Sequence, residues 1–222
     1  GFMAASGSQN GLPESVLRAA LSIEFFHKAS LIHDDIEDND DFRDHAETLH
    51  KKYNLALALN AGDLLIGDGY RVLGKIADPS MKALLWETAA ECHCDLCVGQ
   101  GMEFENISPE PARILEMYAL KTGKAFLAAL SFGLICAGKF AEYRDMLQTF
   151  SRLLGIAYQI RDDLDDRAAG RANLLTVLGE TATREHLARC HDELYELLAA
   201  VPDADLKLFL FQLTGRVLDD GK

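Results

Sequence analysis

Proline occurs only 5 times in 222 residues, and runs of β-branched residues are rare. That leaves little material for rigid linkers or for a large sheet. Ala, Leu, Glu, Lys and Arg dominate instead, which is the composition of helices. Basic residues are outnumbered, 22 Lys and Arg against 35 Asp and Glu, for a formal charge of −13. Such a chain lacks the basic face a nucleic acid requires, and anionic membrane surfaces repel it. An anionic substrate held through metal ions is still allowed. No apolar run reaches the roughly 18 residues of a spanning helix. The best candidate, 125–137, is flanked by Lys124 and Lys139 and reads as a buried core helix, so no membrane span is expected. Residues 1–10 are small and polar, without the charged start and apolar core of an export signal. The 5 cysteines are an odd number in a chain long enough to need no disulfide framework. A reducing, cytoplasmic setting is therefore expected.

The periodicity predicts helices throughout. One starts at Pro13 and carries Leu17, Leu21, Phe25 and Ile32 as a stripe, followed by a loop over 39–48. Helices over 49–59 and 64–76 flank Ala61-Gly62-Asp63, and Asp78-Pro79 ends the second. Further helices are expected over 81–103, from a start signal at Ser108-Pro109-Glu110-Pro111 to Lys121 with a kink near Gly123, over 141–166, 183–200 and 203–218. The whole chain, 1–222, reads as one all-α domain.

Two stretches interrupt this pattern with charge. The first is His33-Asp34-Asp35-Ile36-Glu37-Asp38-Asn39-Asp40-Asp41-Phe42-Arg43. The second is Tyr158-Gln159-Ile160-Arg161-Asp162-Asp163-Leu164-Asp165-Asp166. Each ends an amphipathic run in Asp-Asp-x-x-Asp. Residues four apart on a helix lie one above the other, so Asp34 shares a face with Asp38, and Asp162 with Asp166. One acidic run is usually solvated surface. Recurrence of the same spacing after two apolar runs is what that bland reading leaves unexplained. Two opposed carboxylate banks would demand hard cations. Mg²⁺ takes a few carboxylates, keeps several waters and completes its shell with phosphate oxygens. A diphosphate held by Mg²⁺ is the expected occupant.

With Arg43, Lys121-Thr122-Gly123 and Tyr158-Gln159 in this order, the chain resembles the trans-isoprenyl diphosphate synthases, or polyprenyl synthetases, of geranylgeranyl or longer-chain type. The resemblance runs from about Leu17 to about Gly179. It implies a helical bundle around a central cavity, of the isoprenoid synthase type, and a cytosolic homodimer. The helices over 64–76 and 81–98 also offer more apolar surface than one small bundle needs. It implies that an allylic diphosphate condenses with isopentenyl diphosphate. Asp34, Asp38 and Asp162 would then contact Mg²⁺. Asp35, Asp163 and Asp166 would hold metal-bound waters or orient those ligands. Arg43, Lys121 and Thr122 would grip the allylic diphosphate, Gln159 would polarise the reacting region, and His27 would help hold isopentenyl diphosphate. Asp40, Asp41 and Asp165 read as solvated charges.

The growing chain must run between helices, away from the acidic mouth. Ala29 and Ser30, about one turn before Asp34, are small, so Phe26 or Phe25 becomes the next obstruction. A product of about twenty carbons or longer is expected because side-chain volume excludes ligand volume. Three features depart from the resemblance. Asp44 stands where the family has a second arginine for isopentenyl diphosphate. No Gly-Lys-x-Arg segment precedes the first acidic helix, so an N-terminal piece of the native protein is expected to be missing. The link after Asp166 is short, with Arg167 or Arg171 in place of lysines.

Competing readings are a non-catalytic subunit of a prenyl synthase, a terpene cyclase of the same fold, and an all-α metal-dependent phosphohydrolase built on His33-Asp34. The last two leave the second Asp-Asp-x-x-Asp unexplained. Cys92-His93-Cys94-x-x-Cys97 does not put its thiols on one helix face, so buried or half-buried thiols are expected there rather than a metal.

Overall fold

The computed structural model describes residues 11–104, 110–166 and 173–219. The expected roles of Arg167 and Arg171, and the start signal at Ser108-Pro109, lie outside the described residues. Nearly everything described is helix: α1 (Glu14–Asp38), α2 (Leu49–Lys52), α3 (Leu55–Leu73), α4 (Pro79–Phe104) and α5 (Pro111–Tyr118) come first. A π-helical turn (Ala119–Gly123) leads into α6 (Lys124–Cys136), followed by α7 (Phe140–Asp166), α8 (Leu174–Leu178), α9 (Glu180–Ala199) and α10 (Ala204–Asp219). The Cα packing divides between Trp86 and Glu87 into two compact units, where the sequence alone reads as one domain.

In the first unit α1 and α3 pack antiparallel through two glycine seats. A Cβ on Gly62 would lie 2.2 Å from His33 Nε2, and one on Gly69 would lie 2.5 Å from Phe26. Seven residues separate the two glycines, and seven separate the two side chains. Ser22 Oγ donates to the Gly69 carbonyl at 3.0 Å, closing the seam. Ala61-Gly62-Asp63 is therefore not the break its composition suggests. The real break is Asn54, whose side chain accepts from the Leu57 N–H at 2.9 Å and caps α3.

The second unit has its core among Ile114, Met117, Tyr118, Phe150, Leu154, Ile160, Leu174, Leu194 and Leu210. The helical run Pro111–Cys136 is continuous through the π turn, longer than the apolar stretch predicted at 125–137. By length and composition alone it could cross a membrane, with mean hydropathy 1.4. It carries Lys121 and Lys124 midway, and Phe132, Leu134 and Ile135 are buried within the unit.

Candidate active site

In the first unit α1 delivers the first acidic motif. Asn39, at φ 55°, ends the helix in the left-handed conformation. The Asp40 N–H reaches the Asp35 carbonyl at 3.0 Å and the Asn39 N–H reaches that of Ile36 at 3.3 Å, which is the Schellman arrangement. Asp34 and Asp38 are one turn apart, the first half-buried and the second exposed. Asp35 is buried and accepts from Arg43 Nε at 2.7 Å. Arg43, expected on substrate, is thus tied to Asp35 in the free chain.

The segment expected as loop holds a two-stranded antiparallel hairpin, β1 (Phe42–Arg43) with β2 (Ala46–Glu47). Its two turn residues, Asp44 and His45, have φ of 50° and 68°. Such a primed turn matches the strand twist, and Asp tolerates positive φ better than most residues. Asp44 therefore sits exposed at a hairpin tip. Thr48 Oγ1 donates to the Asp40 carbonyl at 2.7 Å. Lys51 Nζ bridges Asp41 at 2.8 Å and Asn39 at 3.0 Å. The Lys51 hydrogen bond and charge hold the Asp41 carboxyl below its usual value.

The expected chain-length residues separate. Ala29 is buried, while Ser30 is exposed and its hydroxyl donates to the His27 carbonyl at 2.9 Å. At about 100° per residue, Ala29 lies roughly 140° around the helix from Asp34 and falls in line with Phe26 and His33. Ser30 and the exposed His27 are nearer the Asp34 face. Phe26 meets Tyr70 edge-on at 5.0 Å between ring centres, and it rests on Gly69.

In the second unit the π turn carries Lys121-Thr122-Gly123. It fits because its neighbours are glycines. A Cβ on Gly99 would lie 2.4 Å from the Lys121 nitrogen, and one on Gly155 would lie 2.3 Å from the Gly123 nitrogen. The kink predicted at Gly123 is this turn, and such π-helical turns gather at functional sites. Gln159 Nε2 donates to Thr122 Oγ1 at 2.8 Å, joining the turn to α7.

Lys121 Nζ pairs with Glu103, whose side chain is only 16% exposed. No pattern in the sequence singles out Glu103. It lies one residue before the end of α4, and only the fold brings it to Lys121. Asp162 is 38% exposed and lies 3.8 Å from Arg161. Asp163 turns the other way, with Tyr118 OH donating to its Oδ2 and the Leu174 N–H reaching the same oxygen at 3.3 Å. Burial raises the Asp163 carboxyl above its usual value, while its two hydrogen bonds pull it back. Burial, then Asp163, pushes the Tyr118 phenol up. Tyr118 is also absent from the sequence reading, because an aromatic at helical spacing looks like core.

Among the described residues, no three His, Cys, Asp or Glu side chains converge to hold a metal. Magnesium needs no such cluster, since it is bound through one or two carboxylates plus waters and substrate phosphates. Asp34 with Asp38, and Asp162, are oxygen-only donors with accessible carboxylates, and they fit that chemistry. The thiols do not form a soft-metal site. Cys92 and Cys190 are buried and pushed up to about 11 by desolvation, whereas Cys94 and Cys97 are exposed.

Comparison with known proteins agrees with this assembly of motifs. The short chain isoprenyl diphosphate synthase of Methanocaldococcus jannaschii is 36% identical over 155 residues, covering 69% of this chain and 47% of that protein. The geranylgeranyl diphosphate synthase of Methanosarcina mazei is 34% identical over 169 residues, covering 74% and 52%. The chain thus spans about half the length of these relatives. The crystal structure of an FPP/GFPP synthase from Zymomonas mobilis superposes with a TM-score of 0.82 at 28% identity, over 97% of this chain and 81% of that one. The family model described as polyprenyl synthetase matches residues 2–181. That match spans both acidic motifs and the Lys-Thr-Gly turn, and by it the chain belongs to the polyprenyl synthetase family.

Proposed function

We propose that the protein is a magnesium-dependent trans-prenyltransferase that condenses an allylic diphosphate with isopentenyl diphosphate, giving a product of about twenty carbons or longer. The observation that carries this reading is the clamp in the second unit. Lys121 and Thr122, on a turn wedged between Gly99 and Gly155, are joined through Gln159 to the helix that bears Asp162. A cation and a hydroxyl donor held beside a carboxylate bank suit a diphosphate bound through metal.

The chemistry asks for that combination. The allylic carbon–oxygen bond breaks, and the diphosphate leaves with the electron pair. The double bond of isopentenyl diphosphate attacks the carbocation, and a proton passes to the released diphosphate. Magnesium, when bound, supplies positive charge to the leaving group. Asp34, Asp38 and Asp162 are its proposed ligands. Lys121 and Arg43 stabilise the departing anion more than the ground state, which is what accelerates the step. For this they exchange Glu103 and Asp35 for phosphate oxygens. His27 meets isopentenyl diphosphate. In this reading the protein acts in the cytoplasm as a homodimer.

The relatives bear the names farnesyl, geranylgeranyl and geranylfarnesyl diphosphate synthase, so the product length proposed here rests on the small Ser30 near the Asp34 face, Ala29 being buried on another side of the helix. Asp44 at the hairpin tip favours one second reading, a non-catalytic subunit that needs a partner to bind isopentenyl diphosphate. The test is a product assay with labelled isopentenyl diphosphate and dimethylallyl, geranyl or farnesyl diphosphate, with and without chelator. Chelator-sensitive prenyl products establish turnover, and chromatography gives their length. No product with any primer favours the subunit, and cyclised hydrocarbon favours a cyclase.

A further inference from the structure

We propose that Tyr118 is a positioning residue of the second carboxylate bank: it pins Asp163 inward, so that Asp162 alone of the adjacent pair is presented beside the Lys121 turn. The proposal rests on the prenyl-transfer reading above. Tyr118 is 2% exposed, and a phenol so buried requires a polar partner. Its hydroxyl donates to Asp163 Oδ2 and accepts from the Leu174 N–H at 3.1 Å, and that N–H also reaches Asp163 Oδ2 at 3.3 Å.

The three groups come from three elements. Tyr118 is the last residue of α5, immediately before the turn that carries Lys121. Asp163 lies at the end of α7, and Leu174 opens α8. Rotating the Asp163 carboxylate away would break its bonds to both partners at once. Adjacent residues on a helix point about 100° apart, so holding Asp163 against Tyr118 leaves Asp162 turned elsewhere, with its side chain 38% exposed. The other ties between the turn and α7, Gln159 to Thr122 and Gly155 against Gly123, act on the Lys-Thr-Gly residues themselves. Tyr118, together with the Leu174 N–H, acts on Asp163 itself, and among the described residues its hydroxyl is the side-chain donor to that carboxylate. Without its hydroxyl, Asp163 can swing toward the bank, where a further carboxylate repels its neighbours and disturbs the ligand geometry.

The test is Tyr118→Phe, which keeps the ring and removes the hydroxyl. The expected result is a fall in kcat of about tenfold and a rise of about fivefold in the magnesium concentration giving half-maximal rate, with the KM for isopentenyl diphosphate held within about twofold. Calorimetric titration of Mg²⁺ in the presence of inorganic pyrophosphate should show about fivefold weaker binding in the variant. Both are measured well below the variant's unfolding temperature, where a merely structural loss moves neither. In a double-mutant cycle with Asp163→Ala, the two changes should be no worse together than Asp163→Ala alone. Should Tyr118→Phe fail to fold, Asp163→Asn is compared with Asp163→Ala. Neither side chain brings a charge that can swing into the bank, so each variant should keep its magnesium requirement within about twofold of the wild type's. An active wild type whose Tyr118→Phe variant keeps its magnesium requirement and pyrophosphate titration overturns this inference alone, as does a magnesium requirement raised about fivefold or more by both Asp163→Asn and Asp163→Ala. A folded wild type that neither turns over nor binds Mg²⁺ with pyrophosphate overturns the prenyl-transfer reading and this inference with it.

Discussion

Single residues carry the charge balance of the proposed site. Lys121 is held by Glu103 in a pair that is mostly buried, so removing either member strands the other. Lys121→Ala should lower kcat/KM by about a hundredfold, the order expected when one preplaced stabilising group of about 3 kcal/mol is lost from a transition state. Steady-state kinetics with geranyl diphosphate check this, and a loss below about threefold would remove Lys121 from the clamp. Asp44 makes the opposite case. Asp44→Arg should lower the KM for isopentenyl diphosphate about tenfold, because a charge-assisted partner replaces a repelling carboxylate. It should also weaken the fold by about 1 kcal/mol, since φ at this position is 50° and arginine adopts it less readily than aspartate. An unchanged KM would mean that the hairpin tip does not reach the substrate.

At the scale of elements, close helix approach depends on glycine. Gly155→Ala would push a methyl group to 2.3 Å from the Gly123 nitrogen, and backbone on both sides has little room to yield. The expected cost is about 3 kcal/mol, with loss of activity as the π turn moves. Gly133→Ala, within α6, has nothing within 4 Å of the added carbon. It should stabilise the protein by up to about 1 kcal/mol through helix propensity. Urea unfolding of the pair separates packing from propensity. The small residues on α1 divide in the same manner. Ala29 lies buried in line with Phe26 and His33, so Ala29→Phe should destabilise the first unit by about 2 kcal/mol through overpacking. Ser30→Phe, nearer the Asp34 face and exposed, should shorten the product by at least one five-carbon unit with little loss of stability. Product chromatography beside thermal unfolding of the two variants distinguishes the effects.

For the whole molecule, acid stability should depend on Asp203, which caps α10. Its side chain accepts from the Leu206 N–H at 2.9 Å and pairs with Lys139. The Leu206 hydrogen bond first, then Lys139, holds its carboxyl below the ordinary value of 3.8. A depressed carboxyl contributes stability that is complete above the unfolded value and is lost as pH falls through the folded one. Denaturant midpoints should therefore drop as pH is lowered below about 4, and Asp203→Asn should flatten that slope. The proposed homodimer is tested by light scattering. The exposed Leu55, Leu57, Leu59 and Leu64 on α3 are more apolar surface than a lone unit needs, and a monomeric mass at all concentrations would refute the dimer.

The sequence by itself determined what is local and periodic. Apolar spacing outlined most of the helices, though Pro79 opens a helix rather than ending one, and the repeated Asp-Asp-x-x-Asp with Lys121-Thr122-Gly123 pointed to the family. Tertiary structure alone decided what depends on neighbours distant in the chain. Gly62 looks like a break until His33 is seen resting on it, because a missing Cβ reads equally as flexibility or as contact. The hairpin at Asp44 was read as loop, since two-residue strands leave no periodicity. Asp35 and Asp163 look equivalent to their neighbours in the motifs, yet Arg43 holds one and Tyr118 the other. A carboxylate's role is set by the donor it meets, and only folding brings Tyr118 to Asp163 or Glu103 to Lys121.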